Sequence, residues 1–385
     1  MTRARPGGTD AVVLAPEAID ELVDVLVGRG YTVVGPTVRD GAIVLDEVRS
    51  RDDLPVGLAD RQEAATYRLV PRGDGALFGY AVGPQSPRRY LTPPRRRLWS
   101  ASHHDGQLVV EEEPPPATRY AFLAARPCEL AALAIQDRTL RDGRFADPVY
   151  TTARDGSFVV AVDCGAPAAT CFCASTGTGP TARDGFDIAL TEILDAPHRL
   201  LAEPATVAGG EVLAALASRP ATDDDVAAAR AVAARSAERM TRHLDPPEAR
   251  DVLLANLDHP RWDDVATRCL SCTNCTLVCP TCFCSTVEDV TSLDGEHAER
   301  SERWDSCFTL DHSYLHGVGA VRADTRSRYR QWLTHKLATW WGQFGVSGCV
   351  GCGRCIAWCP AGIDLTAEVA ALARDEAAPT TEVER

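Results

Sequence analysis

Apolar positions change period several times along the chain, and each change marks an element. Between residues 16 and 28 they recur at helical spacing. Ile19, Leu22, Val23 and Leu26 share one face, and Gly28 and Gly30 supply a stop. The stretch 31–48, YTVVGPTVRDGAIVLDEV, reads as a hairpin turning at Asp40-Gly41. Residues 67–84 continue as short strands with glycine turns. The apolar run 120–124, a turn at 126–129, the helical spacing of Leu130, Leu133 and Ile135, and a second apolar run at 157–162 predict a β-α-β unit. Strands at 186–193 and 199–201 follow.

From about 208 to 243 the chain turns rich in alanine, arginine and aspartate. Asp223, Asp224 and Asp225 stand where a helix would begin and Arg239, Arg242 and His243 where it would end, signs that suit the helix dipole at both ends. Pro246 and Pro247 break it. Beyond them the helical period dominates, at 248–257, at 325–344 with Tyr329, Leu333, Leu337, Trp340 and Phe344 on one face and Gly345 as cap, and at 365–374. The expected fold class is therefore α+β. A mixed α/β domain spans 1–207 and a helical insertion or linker 208–247. An all-α, ferredoxin-type domain spans 248–376, and a tail 377–385.

A length of 385 residues allows two or three domains. The net charge of −14 argues against nucleic acid, whose phosphates it would repel, and suits a basic protein partner. The start, MTRARPGGTDAVV, shows no apolar core of a signal peptide, and no run of apolar residues is long enough to cross a membrane. A reducing cytoplasm is expected for thiols that must stay unpaired.

Eight of the fifteen cysteines form one motif written twice. Cys269, Cys272, Cys275 and Cys279 stand in CLSCTNCTLVCP (269–280), and Cys349, Cys352, Cys355 and Cys359 in CVGCGRCIAWCP (349–360). Both read C-x2-C-x2-C-x3-C-P, the bacterial iron–sulfur pattern. Steps of three set three thiolates around one cage. The fourth cysteine precedes Pro280 or Pro360, and proline holds the preceding residue extended, steering the chain away. Cys359 is thus expected to join Cys269, Cys272 and Cys275 on one [4Fe-4S] cluster, and Cys279 to join Cys349, Cys352 and Cys355 on the other. Structural zinc sites usually take two C-x2-C pairs separated by a long loop, a poorer match. Val278, Ile356, Trp358 and Ile363 are the apolar residues expected to exclude water. Arg354 stands where the first run has Asn274, as a cation beside a cluster or as a screened surface charge.

The tetrapeptide TCFC occurs at 170–173 and again at 281–284. With Cys164 and Cys307 these copies offer Cys164, Cys171, Cys173, Cys282, Cys284 and Cys307 for a third cluster at the domain interface. Packing as small hydrophobes is the alternative, and Cys128 is read as structural. Arg88, Arg89 and Arg95 to Arg97 read as a solvated basic loop, with His103 and His104 at the surface. The run 175–180, STGTGP, lacks the Lys-Ser/Thr of a phosphate loop.

The segments ARPCELAAL, CFCASTGTGP, CLSCTNCTLVCPTCFC, WDSC, RYRQWLTHK and CVGCGRCIAWCP together resemble the iron–sulfur beta subunit of cytosolic, NADP-linked nickel–iron sulfhydrogenases. The first subunit of anaerobic sulfite reductase is similar over the same stretches. The resemblance runs from about Val33 to Leu372, and the 208–244 segment departs from it. It implies an N-terminal α/β domain, a C-terminal helical ferredoxin domain, and two partners: a flavin-containing NAD(P)H subunit and a catalytic metal subunit. It also implies an oxidoreductase component without a catalytic centre of its own, relaying single electrons. A sulfite-reductase role, or clusters serving as staples in an interaction protein, are the alternatives.

Overall fold

The structure, a computed structural model, describes residues 10–374. The first nine residues, which bear on the signal-peptide expectation, and the tail 377–385 lie outside that range. The N-terminal half is built on an eight-stranded sheet in the order Arg219–Pro220, Val12–Leu14, Arg199–Pro204, Ile188–Ile193, Phe158–Val162, Tyr120–Ala125, Thr32–Arg39, Ala42–Glu47. Its centre is parallel, from Thr32–Arg39 through Ile188–Ile193, and its flanks are antiparallel. The β-α-β unit is present: Tyr120–Ala125 and Phe158–Val162 pair in parallel, and the helix Pro127–Leu140 lies between them in the chain. Central strands covered on both faces read as unbroken apolar runs, and Phe158–Val162 is buried at every position. Leu14, Ile19, Leu22, Leu26, Val160 and Ile188 build one core, while Phe122, Leu130, Leu133 and Val159 build another.

The helix Asp223–Glu238 forms where its charges predict, with Thr222 capping it through Asp225 N–H. It packs against the strand Ile188–Ile193, and Arg219–Pro220 forms the edge of the main sheet.

The C-terminal half corrects the all-α expectation. Between the two cysteine runs the chain makes an antiparallel hairpin, Ser285–Thr291 with His297–Trp304, and a short pair, Tyr314–Leu315 with Gly319–Ala320. The hairpin continues into Arg95–His104 and Gln107–Glu112 from the N-terminal half, giving one four-stranded sheet to which both halves contribute. The basic segment at 95–97 is accordingly a strand, not a solvated loop. Arg96 pairs with Asp147 and with Glu302 at 2.6 Å. Arg88 is buried, its guanidinium 3.6 Å from the centre of the Trp304 ring. His103 and His104 are exposed, as expected.

The helix predicted over 325–344 runs as Thr325–Thr334, a π-helical turn His335–Thr339, and Trp340–Phe344, ending at left-handed Gly345. With Trp262, Val265, Leu253, Ile356 and Leu365 it builds the core that backs the cysteine runs. No described helix is long and apolar enough to cross a membrane.

Candidate metal centre

Both cysteine runs fold the same way. After the first cysteine the chain passes through two left-handed residues, Ser271 (φ 49°) and Thr273 (φ 68°) in one run, Gly351 (φ 63°) and Gly353 (φ 73°) in the other. A one-turn helix follows, Asn274–Leu277 or Arg354–Ala357. The left-handed turn aims a backbone N–H at the first sulfur: Ser271 N donates to Cys269 Sγ and Gly351 N to Cys349 Sγ, each at 3.5 Å. The last cysteine closes the turn in each, Cys279 N donating to Thr276 O and Cys359 N to Ile356 O at 3.3 Å.

The two runs meet. Cys269, Cys272, Cys275 and Cys359 line one hollow together with Cys355 of the second run, closed by Tyr329 and Trp332. Asn274 Nδ2 donates to Trp358 O (3.2 Å), tying the first run to the residue before Cys359. On the other side, Lys336 Nζ reaches Cys279 Sγ (3.3 Å), Thr281 Oγ1 (2.9 Å) and Gly348 O (3.3 Å). Thr281 Oγ1 also donates to Gly348 O at 2.7 Å, so Cys279 is held against the residue before Cys349. Lys336 is 3% exposed and sits in the π-helical turn, a distortion often found at functional sites.

The electrostatics suit thiolates that a metal will neutralise. Burial first, and then neighbouring sulfurs, push the thiols of Cys275 and Cys355 well up. Burial likewise drives Cys349 to about 12. Cys279 goes the other way, held down by a hydrogen bond from Cys282 and by the Lys336 ammonium. Buried thiols that resist ionisation alone become good ligands when a bound cation offsets their charge. Among the described residues, no three His, Cys, Asp or Glu side chains converge as one ion would require. The eight thiols in two groups, with N–H donors aimed at sulfur, therefore fit cages better than single ions.

Arg354 is neither screened nor at the surface. It is 1% exposed, donates to Gly83 O and Gln85 O, and pairs with Glu129 at 2.6 Å across the two halves. The run 175–180 also serves this interface, Thr178 Oγ1 donating to Val350 O at 2.7 Å.

The two TCFC copies differ in their neighbouring sulfurs, although Cys173 of the first and Phe283 of the second pack in one cluster. Phe172 N donates to Gly351 O at 2.8 Å, which lays the first copy on the second run, with Cys171 Sγ 3.8 Å from Cys352 O and Cys173 packed in one cluster with Cys352. In the second copy Cys282 hydrogen-bonds Cys279, and Cys284 neighbours Cys307. Cys128, read from sequence as structural, lies beside Cys173 and Cys352. Sequence reasoning missed Lys336 and Glu129 altogether. The segments RYRQWLTHK and ARPCELAAL carried both residues without pointing to a role.

Residues 268–363 match the model of a 4Fe-4S dicluster domain. One curated relative, the sulfhydrogenase 2 subunit beta of Pyrococcus furiosus, is 31% identical over 248 residues, which make up 64% of this chain and 72% of the relative. No solved structure matches the chain. Its dicluster domain and the extent of that identity place the chain in the family of sulfhydrogenase beta subunits, electron-transfer proteins of the iron–sulfur type.

Proposed function

We propose that the chain carries two [4Fe-4S] clusters with crossed fourth ligands: Cys269, Cys272, Cys275 and Cys359 on one, Cys349, Cys352, Cys355 and Cys279 on the other. In this reading it relays single electrons between a flavin-containing NAD(P)H subunit and the catalytic metal subunit of a nickel–iron hydrogenase. The observation that carries the cluster assignment is the pair of ties that hold Cys279 to Gly348 and Asn274 to Trp358. Each brings the last turn of one run to the other run. The partners are inferred from the relative, which is itself named as one subunit of a sulfhydrogenase.

Bound clusters would supply one-electron storage. The protein's part is to ligate, to exclude water and to set charge. Tyr329, Trp332 and Phe308 wall the first site. Trp340 and Val350, both buried, wall the second. Anaerobically purified chain is expected to hold at least about eight irons. Cys359→Ser should damage the cluster of Cys269, Cys272 and Cys275, read by EPR of the reduced protein. Loss of the other cluster alone would refute crossing. Copurification with flavin and nickel–iron subunits tests the relay, and a sirohaem protein in their place would move the chain to the sulfite-reductase role.

A further inference from the structure

Four cysteines outside the two runs come together in the N-terminal half. Cys164 follows the strand Phe158–Val162, Cys171 and Cys173 form the first TCFC, and Cys128 lies in the first turn of the helix Pro127–Leu140. All four are between 5% and 8% exposed. Cys128 and Cys173 pack in one buried cluster with Cys352, Cys171 Sγ lies 3.8 Å from Cys352 O, and Cys164 N donates to Pro180 O, next to Gly179, which places the four in one neighbourhood. Met240 borders it, its sulfur 3.9 Å from that of Cys173. Glycine keeps room there: a Cβ on Gly179 would stand 2.8 Å from Cys173 Sγ.

A single buried cysteine needs no explanation, since it packs as a small hydrophobe. This group has a second feature. Thr170, fully buried next to Cys171, has an Oγ1 with no hydrogen-bond partner among the described residues. A buried donor left without an acceptor is costly, and an anionic occupant there would supply what it lacks. Arg354, which lies against Cys128, already hydrogen-bonds Cys352 of the second site.

We propose that Cys128, Cys164, Cys171 and Cys173 ligate a third iron–sulfur cluster, set beside Cys352 of the second site. Thiolate-only donor sets select zinc or iron–sulfur cages. Zinc needs its four ligands about 2.3 Å from one point, and no three of the described side chains converge that way. Cys282, Cys284 and Cys307 are left out, because Cys282 hydrogen-bonds Cys279 while Cys284 and Cys307 neighbour each other. The proposal rests on the two-cluster reading only in leaving Cys352 to the second site.

The test is iron, sulfide and zinc per chain in the anaerobically purified full-length protein, with EPR and Mössbauer spectra. Wild type should hold about twelve irons. The Cys171→Ser/Cys173→Ser variant should lose about a third of them while keeping the spectra of the two motif clusters. Cys128→Ser should lose the same third, and Cys307→Ser should lose none. A wild-type count near eight that the double variant retains overturns the third cluster, and so does one zinc in place of the extra irons. Should the double variant fail to fold, the wild-type count and Cys164→Ala decide. Failure of the two-cluster reading would look different: Cys272→Ser and Cys359→Ser would then leave the iron content unchanged.

Discussion

At the two left-handed positions of the first cysteine run stand Ser271 and Thr273; at the same positions of the second run stand Gly351 and Gly353. The backbone is shared, so the turn itself does not demand glycine. The surroundings do. A Cβ on Gly351 would come within 2.7 Å of the Cys173 backbone, and one on Gly353 within 2.3 Å of Thr170 O. The second run is pressed against the N-terminal half, whereas the first faces outward, with Cys272 exposed and Leu270 67% exposed. Charge follows the same division. Arg354 and Lys336 are buried beside Cys352 and Cys279, while the matched residue in the first run, Asn274, is an exposed amide. One motif thus builds two different electrostatic environments, and the domain interface makes the difference.

The largest effect should come from the buried ion pair that joins the halves at the second run. Arg354→Met leaves Glu129 charged and buried, and removing one partner of such a pair costs about 3–5 kcal/mol. The Arg354→Met/Glu129→Leu double variant should recover most of that loss. Asn274→Met, the matched change in the first run, should stay within about 1 kcal/mol. Anaerobic denaturant unfolding followed by circular dichroism measures all three. Equal losses at Arg354 and Asn274 would break the comparison.

Next in size is the glycine contrast. Gly353→Ala meets both a left-handed φ and the Thr170 carbonyl, and should cost about 3 kcal/mol or more. Thr273→Gly relieves left-handed strain but loosens the unfolded chain, so its net effect should fall within about 1 kcal/mol of zero. If Gly353→Ala is tolerated, the two halves are not pressed together at this loop.

Much of this was legible in the sequence, and what was not shares a cause. The cysteine runs declare themselves because their ligand geometry is local. So does the β-α-β unit, whose strands need only the intervening helix. The hairpin strand His297–Trp304 and the strand Arg95–His104 pair across about two hundred residues of chain. Neither shows the apolar pattern of a core strand, because ion pairs such as Arg96 with Glu302 line the pairing. Arg354 and Glu129 look like surface charges until the halves meet. Lys336 sits between Leu333 and Leu337 on a helix whose apolar face was read correctly. The π-helical turn that helps bury its ammonium leaves no mark in the hydrophobic period.

Lys336 gives the finest test of the contrast between the two sites. Burial works against its charge, yet the sulfurs of Cys279, Cys282 and Cys349 outweigh burial and raise its pKa, so the ammonium persists. A cation that donates to a ligand sulfur stabilises the more negative, reduced state and lifts the midpoint potential. Lys336→Met keeps much of the bulk and removes the charge, so the second cluster should become harder to reduce. A hydrogen bond to a charged group is worth about 1.5–3 kcal/mol, and a tenfold change in a one-electron equilibrium is 59 mV. The shift should therefore be negative and no larger than about 130 mV. Lys336→Arg should keep most of the wild-type value. The first cluster, whose sulfurs accept from Ser271 N and Ile363 N rather than from a cation, should move little in either variant. An EPR-monitored redox titration resolves the two signals. A shift confined to the first cluster, or shared equally by both, would mean that Lys336 does not act through Cys279.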